Sequence, residues 1–240
     1  MRVERCFAFV DLCGFTAFTE RHGDEQTVVV LARFRTMLRE IAARRGVRVA
    51  KWLGDGAMLS SADAESVVAM VLETSARTSR RTEVVSLQLR AGLAQGAVIM
   101  FEGDDYIGRA TNVASRLCDA AGPGQTLCTR EVASLAPRWA AVSAAQPYPA
   151  QGFARPLDGC RLEIGRADAM VTDPHCGLEL PEVTGLTTRF GPDAGVVRFC
   201  SSACAHAWEV EQRTTSATTG APRWAEPDAA RPTIVADGPG

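Results

Sequence analysis

An apolar run that ends on a carboxylate sets the first constraint on this fold. The stretch Val3–Val10 is apolar after Arg5, and Asp11 follows it at once. A short continuous run of this kind reads as a buried strand, and here it delivers an acidic side chain at its C-terminal end.

The segments that follow supply its partners. Val30, Leu31, Phe34, Met37, Leu38 and Ile41 recur at three- and four-residue steps, the spacing of one helix face, with Gly46 as C-terminal cap. Val47–Lys51 and Ala57–Ser60 read as two short strands joined by the hairpin signal Leu53-Gly54-Asp55-Gly56. Ser61 is placed to cap a second helix whose inner face is Val68, Val71 and Leu72. Leu87–Met100 reads as a strand pair, or as one strand broken at Gly92 and Gly96. Asp104–Gly108 reads as a loop, with Gly103, Asp104 and Gly108 loop-forming, and Thr111–Ala121 as a third helix stopped by Gly122-Pro123-Gly124. Gln125–Thr129 and Cys160–Ile164 are late strands. This order predicts an α+β fold with a ferredoxin-like βαββαβ core and helices on one face.

Composition excludes several classes. With 240 residues and a 46% hydrophobic fraction, the chain can bury the core of one domain and carry something small besides. A net charge of −2 gives no basic footprint, so no nucleic-acid partner is expected. The N-terminus has no signal-peptide core, and apolar runs such as Val28–Ala32 are too short for a membrane span. A cytoplasmic protein is expected, with its eight cysteines as thiols or metal ligands rather than disulfides.

Lys51 is the only lysine among 26 basic residues. An ammonium is a compact point donor, and the arginine fork does not replace it at a tight site. It stands four residues before Asp55 on a glycine-bounded turn, which points to a nucleotide site. Three segments carry the chemistry: Phe9-Val10-Asp11-Leu12-Cys13-Gly14-Phe15-Thr16, then Lys51–Gly56, then Asp105-Tyr106-Ile107-Gly108-Arg109-Ala110-Thr111-Asn112-Val113-Ala114-Ser115-Arg116. With these in order, the chain over residues 3–165 resembles the catalytic domain of class III adenylyl and guanylyl cyclases. Trp52 and Thr111 depart from the usual family residues without removing a functional group.

The resemblance implies a reaction and roles. ATP would be converted to 3′,5′-cyclic AMP and pyrophosphate, with two Mg²⁺ or Mn²⁺ ions per site held by Asp11 and Asp55. Hard cations take carboxylate oxygens, and Mg²⁺ needs only one or two of them beside the phosphates. Lys51 and Asp105 fall where the family reads the base, in the form that suits adenine. Asn112 and Arg116 share a helix face at i and i+4 and would hold the ribose and the transferring phosphate. The family's sites form between two domains placed head to tail, so a homodimer is implied. Alternatives are a guanylate cyclase and a catalytically silent nucleotide-binding or metal-sensing protein.

Beyond the expected catalytic domain, residues 1–166, the sequence changes character. Asp173-Pro174-His175-Cys176-Gly177 and Phe199-Cys200-Ser201-Ser202-Ala203-Cys204-Ala205-His206 together resemble a YHS/TRASH-type metal-binding module, over residues 170–211. Cys176, Cys200, Cys204 and His206 are the expected zinc ligands, with His175 as the alternative fourth. The other five cysteines read as small buried residues. Residues 212–240, rich in Thr, Ala, Pro and Gly, are expected to be a disordered tail.

Overall fold

Both faces of the first strand are apolar, and that decides the layering. In the computed structural model, which describes residues 1–79, 87–101, 105–183, 186–190 and 195–219, strand β1 (Arg2–Leu12) lies inside a sheet between two later strands. Cys6, Ala8, Val10 and Leu12 enter one buried cluster, while Phe7 enters another. Side chains alternate across a strand, so a strand apolar at both parities must be covered on both sides.

Helix α1 (Phe15–Arg45) and, after the hairpin β2 (Arg48–Leu53) and β3 (Gly56–Ser61), helix α2 (Ala64–Ser79) cover the first side. Helix α1 is interrupted at Gly23, whose φ is +79°. Strand β4 (Leu89–Phe101) pairs antiparallel with the whole of β1 through Leu89–Ile99, and β5 (Asp105–Ile107) folds back on its end. Helix α3 (Arg109–Ala120) then covers the second side through Ala110, Val113, Ala114 and Leu117. The βαββαβ core is as expected, with its helices α1 and α2 on one face. The expectation is corrected only for the third helix: Phe7, Met58 and Ala94 give α3 an apolar surface on the opposite side.

The remaining strands extend one edge. These are β6 (Thr126–Cys128), β7 (Ala140–Val142), β8 (Gln146–Tyr148) and β9 (Leu157–Ile164), with the short helix α4 (Arg130–Ser134) after β6. The main order is β2-β3-β1-β4-β6-β9-β7.

Three local expectations change. Strand β4 is continuous through Gly92 and Gly96. Asp105–Ile107 is a strand rather than a loop, while Gly103 and Asp104 lie outside the described residues. The cap of α2 is Asp63, whose carboxylate accepts from the backbone N–H groups of Glu65 and Ser66; Ser61 Oγ accepts from Asp63 N instead.

Two small hairpins and a helix complete the described chain. Strands β10 (Met170–Thr172) and β11 (Glu179–Pro181) pair, as do β12 (Thr187–Phe190) and β13 (Val196–Phe199), before helix α5 (Ser202–Thr219). Leu178, Leu180, Leu186, Phe199 and Ala205 join the same buried cluster as Phe34, Leu38 and Ile41 of α1. Residues expected to form a separate module thus share a core with the sheet domain. Helix α5 also runs into the span expected to be a disordered tail; residues 220–240 lie outside the described residues.

Glycine 92 shows why β4 stays unbroken. A Cβ there would lie 2.1 Å from Cys118 N and 2.2 Å from Ala114 O, so the glycine lets α3 sit directly on the sheet. Gly92→Ala is expected to lower the unfolding free energy by about 1–3 kcal/mol or more, measured by denaturant titration. An unchanged midpoint would show that α3 is not held at this distance.

Candidate functional site

Two carboxylates are brought to one place by strand pairing. Val10 pairs with Ala57, so the end of β1 lies against the start of β3, and Asp55 sits in the turn just before it. Gly54 turns the chain with φ +64°. Gly56 allows the close approach, because a Cβ there would stand 2.5 Å from Val10 O and 3.2 Å from Asp11 Oδ1.

The carboxylates feel each other. Burial pushes the Asp55 carboxyl above the usual range, and the negative charge of Asp11 pushes it further. Arg90, directly across the ladder from Asp11, supplies the local counter-charge. Its Nε and Nη2 donate to Asp11 Oδ2 at 2.8 and 2.6 Å. Cys13 lies in the same neighbourhood: burial raises its thiol, Arg90 opposes this, and Asp11 and Asp55 add to it. It is half-exposed, unlike the buried cysteine expected from sequence. Two acidic groups that already attract a guanidinium form a fitting donor set for hard divalent cations.

Sequence reasoning missed Arg90. Its signal is positional, since it matters only once β4 is registered against β1. The strand was legible, but the register was not.

Lys51 lies on β2, next to an irregularity in its pairing. A bulge interrupts the β2–β3 ladder between Val49 and Lys51, and bulges re-aim neighbouring side chains. Lys51 Nζ donates to Asp105 Oδ1 at 2.9 Å, joining β2 to the start of β5. Both side chains are about half exposed, at 54% and 53%. Asn112 is exposed on α3, and Arg116 on the same helix pairs with Asp119 Oδ2 at 2.7 Å. Lys51 with Asp105, and Asp11 with Asp55, are therefore brought together within one chain. Asn112 and Arg116 lie one turn apart on α3.

A second group of donors lies under α5. Cys176, Cys200, Cys204 and Asp173 are all buried, with their ligand atoms within 4.8 Å of one another. Cys200 Sγ lies 3.4 Å from Cys204 Sγ and 3.8 Å from Cys176 Sγ. Thiolates sharing one tetrahedral zinc at a Zn–S distance of about 2.3 Å would stand about 3.8 Å apart. The sulfurs interact strongly. Thiol hydrogen bonds from Cys176 and then Cys200 hold the Cys204 sulfur toward its thiolate form, while Cys176 is driven the other way.

The expected histidines are not in this group. His206 is exposed on α5, two residues past Cys204 and so about 200° around the helix from it. His175 Nδ1 lies 3.1 Å from Glu211 Oε1. Asp173 takes their place, but its oxygens already accept from the backbone N–H groups of His175, Cys176 and Cys200. The three thiols therefore fit a thiophilic cation, with Asp173 shaping the knuckle that presents them. All eight cysteines are free thiols.

Comparison with known proteins bears on the sheet domain. The family model for the adenylate and guanylate cyclase catalytic domain matches residues 3–149. An uncharacterized Mycobacterium tuberculosis protein is 34% identical over 149 residues, covering 62% of this chain and 38% of that protein. An adenylate cyclase of Streptomyces coelicolor is 34% identical over 116 residues, 47% of this chain and 29% of that protein. The chain thus spans well under half the length of these curated relatives. The crystal structure of the adenylyl cyclase CyaB from P. aeruginosa superposes with a TM-score of 0.61 at 26% identity, over 70% of this chain and 98% of that one. A guanylate cyclase domain from Catenaria anguillulae in complex with GTP superposes equally, at 0.61, with 16% identity over 69% of this chain and 100% of that one. That second likeness concerns the fold alone.

The raised Asp55 carboxyl gives a stability prediction with a definite sign. A carboxyl whose folded pKa lies above its unfolded value takes up protons on folding, so ionising it costs stability. This contribution is lost as pH rises through the raised folded value, the reverse of an ion-paired carboxylate. Asp55→Asn is expected to raise the melting temperature of cation-free protein near neutral pH, by about 1–3 °C. It should also abolish any stabilisation by added Mn²⁺. A lower melting temperature in thermal denaturation would remove the repulsion from the account.

Proposed function

The chain belongs to the family of adenylate and guanylate cyclase catalytic domains, and from that premise we propose that it converts ATP to 3′,5′-cyclic AMP and pyrophosphate as a homodimer. The ribose 3′-oxygen attacks the α-phosphorus, the bond from that phosphorus to the bridging oxygen breaks, and pyrophosphate leaves with its electron pair. The hydroxyl proton passes to solvent.

The observation that carries the choice of ATP is the Lys51–Asp105 pair. The ammonium donates to adenine N1, and the carboxylate accepts from the N6 amine. Guanine reverses donor and acceptor at both atoms and would leave two charged groups unmatched. Asp11 and Asp55 hold Mg²⁺ or Mn²⁺, which when bound neutralise phosphate charge and acidify the attacking hydroxyl. Arg90, now bonded to Asp11, balances the acidic pair before substrate and cations arrive. Asn112 orients the ribose, and Arg116 meets the charge that builds on the transferring phosphate.

The head-to-tail homodimer rests on two features. Asn112 is exposed on α3, with Arg116 one turn further along the same helix. The adjoining hairpin of β4 and β5 exposes Ile99, Phe101 and Ile107 at 54%, 49% and 56%. Exposed apolar groups clustered beside a half-exposed ion pair are the surface a second copy would cover. The three-thiol group holds zinc or another thiophilic ion and regulates turnover. Free thiols and a cytoplasmic setting agree with one another.

A shared site predicts complementation. Asp11→Ala and Asn112→Ala should each lose activity, by ~10²-fold or more. Mixed under conditions of subunit exchange, they should recover cyclic AMP formation through one intact site. A mixture as inactive as its parents, with exchange shown by size or labelling, would overturn the shared site.

A further inference from the structure

Cys200 is the joint between the thiol group and the sheet domain. Its Sγ accepts from Arg45 Nη2 at 3.2 Å, and its carbonyl accepts from Trp139 Nε1 at 2.9 Å. Its backbone N donates to Asp173 Oδ2 at 2.8 Å. Both residues that reach it from the sheet domain are buried, Arg45 at 5% exposure and Trp139 at 2%.

Arg45 also bonds Glu73 of α2, through Nε at 2.8 Å and Nη2 at 2.7 Å. Arg44 pairs with the other oxygen of the same carboxylate. Arg77 Nε lies 4.0 Å from that same oxygen, so three guanidinium groups surround one buried carboxylate and positive charge is in excess. The sulfur group beside Arg45 is the adjacent source of negative charge. A divalent ion on three thiolates carries a net charge of −1 and would offset part of that excess beside Arg45.

Arg45 is also the end of a lever. It is the last residue of α1, the helix that grips the catalytic hairpin ten residues earlier. Arg35 Nη2 donates to Gly54 O at 2.8 Å, and the guanidinium groups of Arg35 and Arg39 lie 5.0 and 4.9 Å from the Trp52 ring centroid. Trp52 adjoins Lys51, and Gly54 adjoins Asp55. At about 1.5 Å per residue, one straight segment of helix spans about 15 Å between thiol group and hairpin. A cavity of about 350 Å³, lined by Arg45, Trp139, Asp63 and Cys200, opens along the seam.

We propose that Arg45 is a positioning residue that couples cation occupancy of Cys176, Cys200 and Cys204 to the Lys51–Asp55 hairpin through α1. A bound thiophilic divalent ion fixes the Cys200 sulfur against Arg45, which seats the end of α1 and steadies the hairpin. Loss of the ion frees the sulfurs to part and loosens the hairpin. The inference rests on the cyclase reading and on the thiol group binding metal, and it adds the direction of regulation: the loaded protein is the more active one.

The test uses the full chain, stripped and then reloaded with one equivalent of Co²⁺ and assayed with saturating Mg²⁺. Thiolate-to-cobalt charge-transfer absorbance reports loading, hydrogen exchange reports the amides of residues 51–57, and cyclic nucleotide formation reports turnover. Loading is expected to slow hairpin exchange and raise turnover about fivefold or more. Arg45→Lys keeps the charge but loses the fork, so it should bind cobalt while hairpin and turnover no longer respond. Arg35→Ala, a change at the other, half-buried end of the lever, should do the same if Arg45→Lys fails to fold. Cobalt binding with unchanged exchange and turnover in the wild-type chain would overturn the coupling and leave both the metal site and the cyclase standing. Variants that respond as fully as wild type would overturn the route. Absence of the charge-transfer band would remove the metal reading, and the coupling with it. Absence of turnover in every state would fault the cyclase reading, while hairpin exchange still decides the coupling.

Discussion

Asp11 and Asp55 repel each other, and much of the sheet domain exists to hold them close regardless. The pairing of β1 with β3 fixes one carboxylate against the other's turn, and Gly56 removes the side chain that would force them apart. Arg90 comes from the other neighbour of β1 and offsets the charge. Such an arrangement spends stability at one point and recovers it in the surrounding core, as sites that bind charged ligands do. Divalent cations would be the natural relief, because a hard cation can take oxygens from both carboxylates at once.

Part of this was legible in the sequence. The apolar run into Asp11, the glycine-flanked Asp55 and the solitary Lys51 are local signals, and each has a local physical cause. The layering was not legible from those signals. Placing α3 on the far side of the sheet depends on Phe7 and Ala94 facing away from α1, and on Gly92 giving α3 room. Arg90 escaped for the same reason, since its role depends on register alone. The histidines near Cys176 and Cys204 misled because sequence proximity says nothing about which way a helix turns. His206 follows Cys204 by two positions and so faces solvent.

The C-terminal hairpins change the picture of a catalytic domain with a loose appendage. Their apolar residues merge with those beneath α1 and α2, and Cys200 lies against the buried Arg45, which is itself paired with Glu73 of α2. A buried ion pair is weak evidence for stability on its own, but it transmits charge well through a low-dielectric interior. Sensing and catalysis would then share a rigid element, with the long helix α1 touching both.

The central claim is that the paired carboxylates and the Lys51–Asp105 pair together act on ATP. Incubating purified protein with ATP or GTP and Mn²⁺, and resolving the products by chromatography, tests it most directly. The account predicts cyclic AMP from ATP, with little cyclic GMP from GTP, and loss of that product in Asp55→Asn. Cyclic GMP as the main product, or cyclic AMP undiminished without Asp55, would contradict it.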